Sequence, residues 1–357
     1  MEQKTSSFQL FWISVGLILP TAVVGIPNFV VTQAGQMGWV SIIVAGTIIG
    51  LVNYIFLTLG CKFSDKGVIE DVQNIFGPIL GRIITIPYIF AITITNLYLL
   101  YQSTGDIEVI MPRTPLSFFW IGMMILLVLL SYKGIEVIGR VSAVAIFILL
   151  IGFIIITGSI FTNQGIDFDN LKPFVFNFKG IFAGSIYPAR LFLYHSIIVI
   201  QLKDFFSNQK RAIKAVNIAN LINQLAITTL IVVFIGLLGV DLIKIIQYPF
   251  YILSTLTLRG VEVIMFIIWV LGNVLKMSIF HFVSLKLIRD WFGIRDYRKI
   301  IIPFSILILG LTLYGTQMPV PELQIKYAII GFLTVISLPT VFLVSIGYWM
   351  SLKIGKK

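Results

Sequence analysis

The sequence predicts an all-α polytopic membrane protein with ten transmembrane helices arranged as two halves of five. Three observations carry that fold class. The 357 residues are 58% hydrophobic and only 11% charged, with a mean hydropathy of +1.01, where a soluble domain carries about 25% charged residues. The apolar residues gather into stretches at 8–34, 38–60, 80–104, 116–132, 141–161, 180–202, 213–239, 259–283, 300–315 and 326–350, each near the ~20 residues that cross ~30 Å of hydrocarbon. Two of these stretches, the first and the sixth, carry helix-breaking residues near their middles.

The first stretch reads "LPTAVVGIPNF" from Leu19 to Phe29, with Pro20 and Pro27 on either side of "TAVVGI". A proline inside a helix removes a backbone hydrogen bond and clashes with the preceding turn. The expected result is a helix that stops near Leu19 and restarts after Gly25. The restarted half would aim its free N–H groups and positive dipole end at the gap, which suits a carboxylate. Irregular backbone at membrane depth survives only where protein buries it or it lines a cavity. The alternative is a proline kink used for packing. In the third stretch, Thr93 and Asn96 share a face, and Asn96 also suits an interhelical hydrogen bond. Tyr88, Tyr98 and Tyr101 read as interface or packing aromatics.

The sixth stretch, "GIFAGSIYPARLFLYH" from Gly180 to His195, clusters Gly184, Ser185 and Pro188 where a helix should be continuous. Interrupted segments at corresponding positions in two halves point to an inverted repeat. The expected organisation is one membrane domain, 1–357, with a first five-helix repeat over 8–161 and a second over 180–350. Arg190 follows the break directly. An arginine at that depth is costly unless paired or wetted, so it either binds a ligand carboxylate or pairs with Glu262 across the bundle. His195 reads as a packed histidine rather than a proton relay.

The eighth stretch carries most of the remaining intramembrane polarity. Arg259, Glu262, Phe266, Trp269, Asn273 and Lys276 recur at helical spacing, within an arc of roughly 100°. Arg259 and Glu262 lie three apart and can pair. Lys276 is near one end, where its stem allows it to snorkel to the interface. Arg190, Arg259, Glu262 and Lys276 together form the expected intramembrane charge network.

Charge placement gives an orientation. Of the 26 Lys and Arg, 18 fall in the segments that share a side with both termini and 5 on the other, with Arg190, Arg259 and Lys276 inside spans. That bias places both termini in the cytoplasm and accounts for the net charge of +11 without nucleic-acid binding. The single cysteine, Cys61, excludes an internal disulfide, and His195 and His281 are too few and too far apart for a metal site. No cleavable signal-peptide pattern, phosphate loop, zinc motif or nucleophile motif is present, so neither a cofactor nor enzymatic activity is expected.

Three segments carry a family resemblance. "SSFQLFWISVGLILPTAVVGIPNFVVTQAGQMGWVS" (Ser6–Ser41), "IFGPILGRIITIPY" (Ile75–Tyr88) and "LRGVEVIMFIIWVLGNVLKMS" (Leu258–Ser278) resemble, in order and spacing, the B subunit of spore germinant receptors. These are the endospore germination permeases of the amino acid-polyamine-organocation superfamily. The resemblance covers essentially the whole chain. It implies a leucine-transporter-type fold with discontinuous helices 1 and 6, and a ligand site between the first, third, sixth and eighth spans. That site would draw Thr21, Val24, Gly25 and Ile26 from the first span and Thr93 and Asn96 from the third. Gly184, Ser185, Tyr187 and Arg190 would come from the sixth, and Trp269 and Asn273 from the eighth. The resemblance further implies a small germinant, an amino acid or nucleoside, sensed at the spore inner membrane together with an A subunit and a C-subunit lipoprotein. A secondary amino acid transporter is the alternative function.

Overall fold

The computed structural model describes residues 4–111, 113–163, 165–246, 261–316 and 342–353, with 249, 252, 253, 255 and 339 besides. The described residues form helices α1 (Ser7–Ala34), α2 (Gly38–Phe63), α3 (Val68–Phe76), α4 (Pro78–Ile110), α5 (Leu116–Lys133), α6 (Ile135–Asn163), α7 (Phe178–Ile200), α8 (Gln209–Ile245), α9 (Val261–Phe292), α10 (Ile301–Thr316) and α11 (342–353). Nine of the ten expected spans therefore appear as helices, and the tenth lies largely outside the described residues, with α11 as its end. Eight stretches among the described residues are long and apolar enough to cross a membrane, the first running from Gly25 in α1 through α2 to Phe63.

Local chemistry sets the helix ends. Ser6 and Gln9 make a reciprocal capping box at the start of α1, the Ser6 hydroxyl accepting from the Gln9 N–H at 3.2 Å and the Gln9 side chain accepting from the Ser6 N–H at 2.8 Å. Between α3 and α4 the chain reverses through Gly77 at φ 86°, and Pro78 then opens α4, where its missing N–H costs nothing. Gly239, at φ 71°, interrupts α8 near its end.

Helix α1 is the centre of the bundle, packed against α6, α7, α8 and α9, while α2 lies on α7 and α8, and α9 on α4, α5 and α6. Apolar side chains are abundant on the outside as well, among them Ile79 at 74% exposure and Phe118 at 69%, as expected when lipid rather than water is the solvent.

The expected breaks are absent. Helix α1 runs through Pro20 and Pro27, and α7 runs through Pro188, so no free helix N-terminus faces a gap between the prolines. Contacts with α9 account for the first. Gly272 lies so close to Pro20 that a Cβ there would be 2.9 Å from the proline Cγ. The Trp269 indole N–H donates to the Pro20 carbonyl at 2.8 Å. The proline is thus a crossing point between two helices rather than the edge of an opening.

Two lysines counted above only for orientation turn out to be buried. The Lys203 and Asp71 side chains form an ion pair that is fully enclosed. The Lys203 ammonium also donates to the Gly60 carbonyl at 3.0 Å and the Ser64 carbonyl at 3.2 Å. Asp71 accepts from the hydroxyls of Ser64 and, at 2.9 Å, of Tyr348 in α11. Burial pushes the Asp71 carboxyl above its ordinary range, with the Lys203 ammonium pulling against it. Beside this knot, Lys286 of α9 reaches Asp204 at 3.2 Å and Asp290 at 3.0 Å. Thr5 pairs its backbone with Phe205 and Ser207, at 2.7 and 3.2 Å. These bonds tie α2, α3, α7 and α11 together at one end of the bundle.

Removing one partner of a buried pair leaves an uncompensated charge, at about 3–5 kcal/mol. Lys203→Met is expected to lower the unfolding free energy of the purified protein by about that much. The double variant with Asp71→Asn should be destabilised by clearly less than the sum of the two single effects. Additive effects in thermal unfolding would show the pair to be uncoupled.

Candidate ligand site

A cavity of about 70 Å³ opens between α1, α4, α7 and α9. One face of α7 supplies most of its polar wall, because Tyr187, Arg190, Leu191, Tyr194 and His195 follow the i, i+3, i+4, i+7, i+8 stripe of a single helix side. Thr95, Tyr98 and Gln102 enter from α4, Leu17 from α1, and Lys276 and Phe280 from α9. No carboxylate lines the cavity among the described residues.

Arg190 is the group that gives the cavity its chemistry. Its guanidinium carbon lies 5.6 Å from the centre of the Tyr187 ring, which in turn packs on Phe29 at 5.3 Å. Its Nε is buried without a hydrogen-bond partner, and among the described residues it makes no ion pair. A cation held by an aromatic face at membrane depth with its donors unspent is matched to a carboxylate, which can take two parallel N–H bonds from one guanidinium. His195, 2% exposed, has neither ring nitrogen hydrogen-bonded. A buried polar group without a partner costs free energy, so both side chains favour a polar occupant.

The other expected site residues distribute as follows. Tyr187 and Arg190 line the cavity, and so does Lys276, which is 4% exposed and does not snorkel. Gly184 instead marks where α7 approaches α2, since a Cβ there would lie 2.7 Å from the Ser41 hydroxyl. The Ser185 hydroxyl is spent within its own helix on the Phe182 carbonyl at 2.7 Å. Ile26 is fully buried in the apolar core and Gly25 is half-buried in α1, both away from the cavity lining. Thr93 is half-buried, and Asn96 is fully buried with neither amide atom hydrogen-bonded. Asn96 therefore does not make the interhelical bond expected of it. Asn273 is buried with its amide nitrogen unpartnered, and Trp269 is committed to Pro20. The side chains of Thr21, Val24 and Glu262, and Arg259 altogether, lie outside the described residues.

The cavity takes a different face of α4 from the one that Thr93 and Asn96 share. The observed lining, Thr95, Tyr98 and Gln102, begins two residues on from Thr93, about 200° around the helix. The i, i+3, i+7 spacing of these three was a usable signal. His195 and Tyr98 were read as packing residues, yet both line the cavity. Tyr88 does pack, donating to the Ile197 carbonyl at 2.8 Å and accepting from the Gln201 amide at 2.5 Å.

The architecture is that of the leucine-transporter type. A crystal structure of MhsT in complex with L-phenylalanine superposes with a TM-score of 0.72 at 13% identity, covering 100% of this chain and 91% of that one. The chain belongs to the spore germination protein family, whose sequence profile it matches over residues 4–320. No curated protein sequence matches it. It is a multi-pass membrane protein of that family.

The α1–α9 crossing beneath the cavity should be intolerant of volume. Gly272→Ala places a Cβ 2.9 Å from Pro20 and 3.0 Å from Leu149 and is expected to destabilise the protein by about 1–3 kcal/mol. Gly122→Ala, inside α5 with nothing within 4 Å, should not lower the thermal stability and should raise it slightly, since alanine is the better helix former. Equal effects would remove the crossing from the account.

Proposed function

We propose that this chain is the membrane subunit of a spore germinant receptor, and that it binds a small amino acid through Arg190 and passes the binding signal to partner subunits. Family membership supports the germination role. The observation that carries the ligand reading is the Arg190 guanidinium, without an ion-pair partner among the described residues, in a cavity with no carboxylate among its described lining residues. A carboxylate partner for Arg190 favours an amino acid over a nucleoside, which carries none. The crystallised MhsT holds L-phenylalanine, which agrees with an amino acid in this type of fold. The partners in this reading are a germinant receptor A subunit and a C-subunit lipoprotein, both termini are cytoplasmic, and the membrane is the spore inner membrane. Residues 8–161 and 180–350 form the two inverted halves. No cofactor or catalysis enters the reading.

A sensor needs a ligand that prefers one of two conformations, and a transporter needs that and a return path. The likeness to MhsT favours a second reading, a secondary amino acid transporter, which isotope uptake by vesicles containing the chain alone would support.

Removing the charge-assisted bond to a carboxylate is worth about 1.5–3 kcal/mol. Spores carrying Arg190→Gln are therefore expected to need roughly 10- to 100-fold more amino acid germinant for half-maximal germination, with normal protein level by immunoblot. An unchanged concentration dependence at normal level would remove Arg190 from ligand binding.

A further inference from the structure

A second concavity, of about 640 Å³, lies between α2 and α8 at the lysine-rich end of the bundle and is unrelated to the cavity around Arg190. Its two walls differ in chemistry. One carries Lys62 from the last turn of α2 and Lys210 and Lys214 from the first two turns of α8. All three are exposed, and none has an ion-pair partner among the described residues. The other wall is apolar and outward-facing, with Tyr54 at 52%, Ile218 at 43% and Leu221 at 53% exposure.

The electrostatics of this place are unbalanced within the protein. The 37-residue α8 begins here, with no acidic residue in its first turn. A helix N-terminus carries partial positive charge and is normally complemented by acids, yet Lys210, Arg211 and Lys214 follow it. The neighbouring carboxylate, Asp65, is engaged by the Gln209 amide rather than by a lysine. Four cations and a helix dipole repel one another unless an anion joins them. The apolar wall states what kind of anion, because Ile218 and Leu221 face outward along α8 within a stretch long and apolar enough to span a membrane, where lipid is the solvent.

We propose that the α2–α8 groove binds an anionic phospholipid, its phosphate held by Lys62, Lys210 and Lys214 and an acyl chain laid along Ile218 and Leu221 beside Tyr54. Basic recesses between membrane helices are suited to acidic headgroups, and each lysine near the membrane surface contributes about fivefold in affinity.

The test is native mass spectrometry of the purified full-length chain, titrated in detergent with phosphatidylglycerol or phosphatidylcholine. Phosphatidylglycerol should bind the wild-type protein more tightly than phosphatidylcholine. The triple variant Lys62→Gln, Lys210→Gln, Lys214→Gln should weaken that binding by roughly 100-fold. A second triple at the same end but outside the groove, Lys133→Gln, Arg295→Gln, Lys299→Gln, should leave it within a few-fold. Exposed substitutions of this kind rarely change stability, and thermal unfolding of both variants checks that they fold. Glycerol 1-phosphate, the headgroup chemistry without tails, should compete poorly. Equal losses in the two triple variants, equal binding of the two lipids, or full competition by glycerol 1-phosphate would each overturn the proposal, the last by showing a site for a soluble phosphate.

Discussion

Hydrocarbon offers no hydrogen-bond partner to a peptide group, and the rest of this structure follows from that constraint. Every spanning segment must satisfy its own backbone, so the chain is helical nearly throughout its described length. The constraint bears hardest on the prolines. Pro20 deprives the Gly16 carbonyl of its usual donor, and α1 nonetheless remains one helix. It does so where α9 meets it, with Gly272 making room for the ring and the Trp269 indole supplying a donor to the Pro20 carbonyl. The same crossing lies next to the cavity whose α9 wall is Lys276 and Phe280. The helix pair that accommodates the proline thus also forms two of the four sides of the cavity.

The fold was largely legible in the sequence because hydrophobic length is a strong signal in a membrane protein. The segments at 116–132 and 180–202 match α5 and α7 to within two residues, while α8 and α9 extend well beyond their apolar cores because polar turns such as that at Gln209 continue the helix. The proline breaks misled for an identifiable reason. What decides whether Pro20 opens a helix lies about 250 residues away in sequence, on α9, and no local pattern reports it. The lining of the candidate cavity was legible in part. Arg190 and Tyr187 stood out because charge and aromaticity at that depth are unusual, whereas Tyr98, Gln102 and His195 look like ordinary membrane-protein polar residues until α4 and α7 are placed face to face. The enclosed Asp71–Lys203 pair was invisible for the opposite reason. Both residues belong to charged connecting segments, where solvation is the normal state, and only the packing of α11 over α3 through Tyr348 encloses them.

The two charge clusters have different characters. Around Lys203 and Lys286 the charges are answered within the protein, Lys203 by Asp71 and Lys286 by Asp204 and Asp290, which makes that cluster a fixed closure of the bundle. In the cavity, Arg190 has aromatic contact but no counter-charge among the described residues. A structure that is closed by internal pairs at one end and lacks a counter-charge in the middle can respond to a ligand, since an anion that supplies the missing charge stabilises whichever conformation brings Arg190 to it. Whether that response is relayed to partners or completed as transport is a property of the cycle, and the shared fold serves both.

Equilibrium binding to the purified full-length chain in lipid nanodiscs tests the central claim most directly, using a panel of labelled L-amino acids and the carboxamide of each. Saturable binding of at least one amino acid is expected, with a roughly 10- to 100-fold loss for its carboxamide, because only the carboxylate completes the charge of Arg190. Equal affinity for acid and amide, or no binding across the panel, would contradict it.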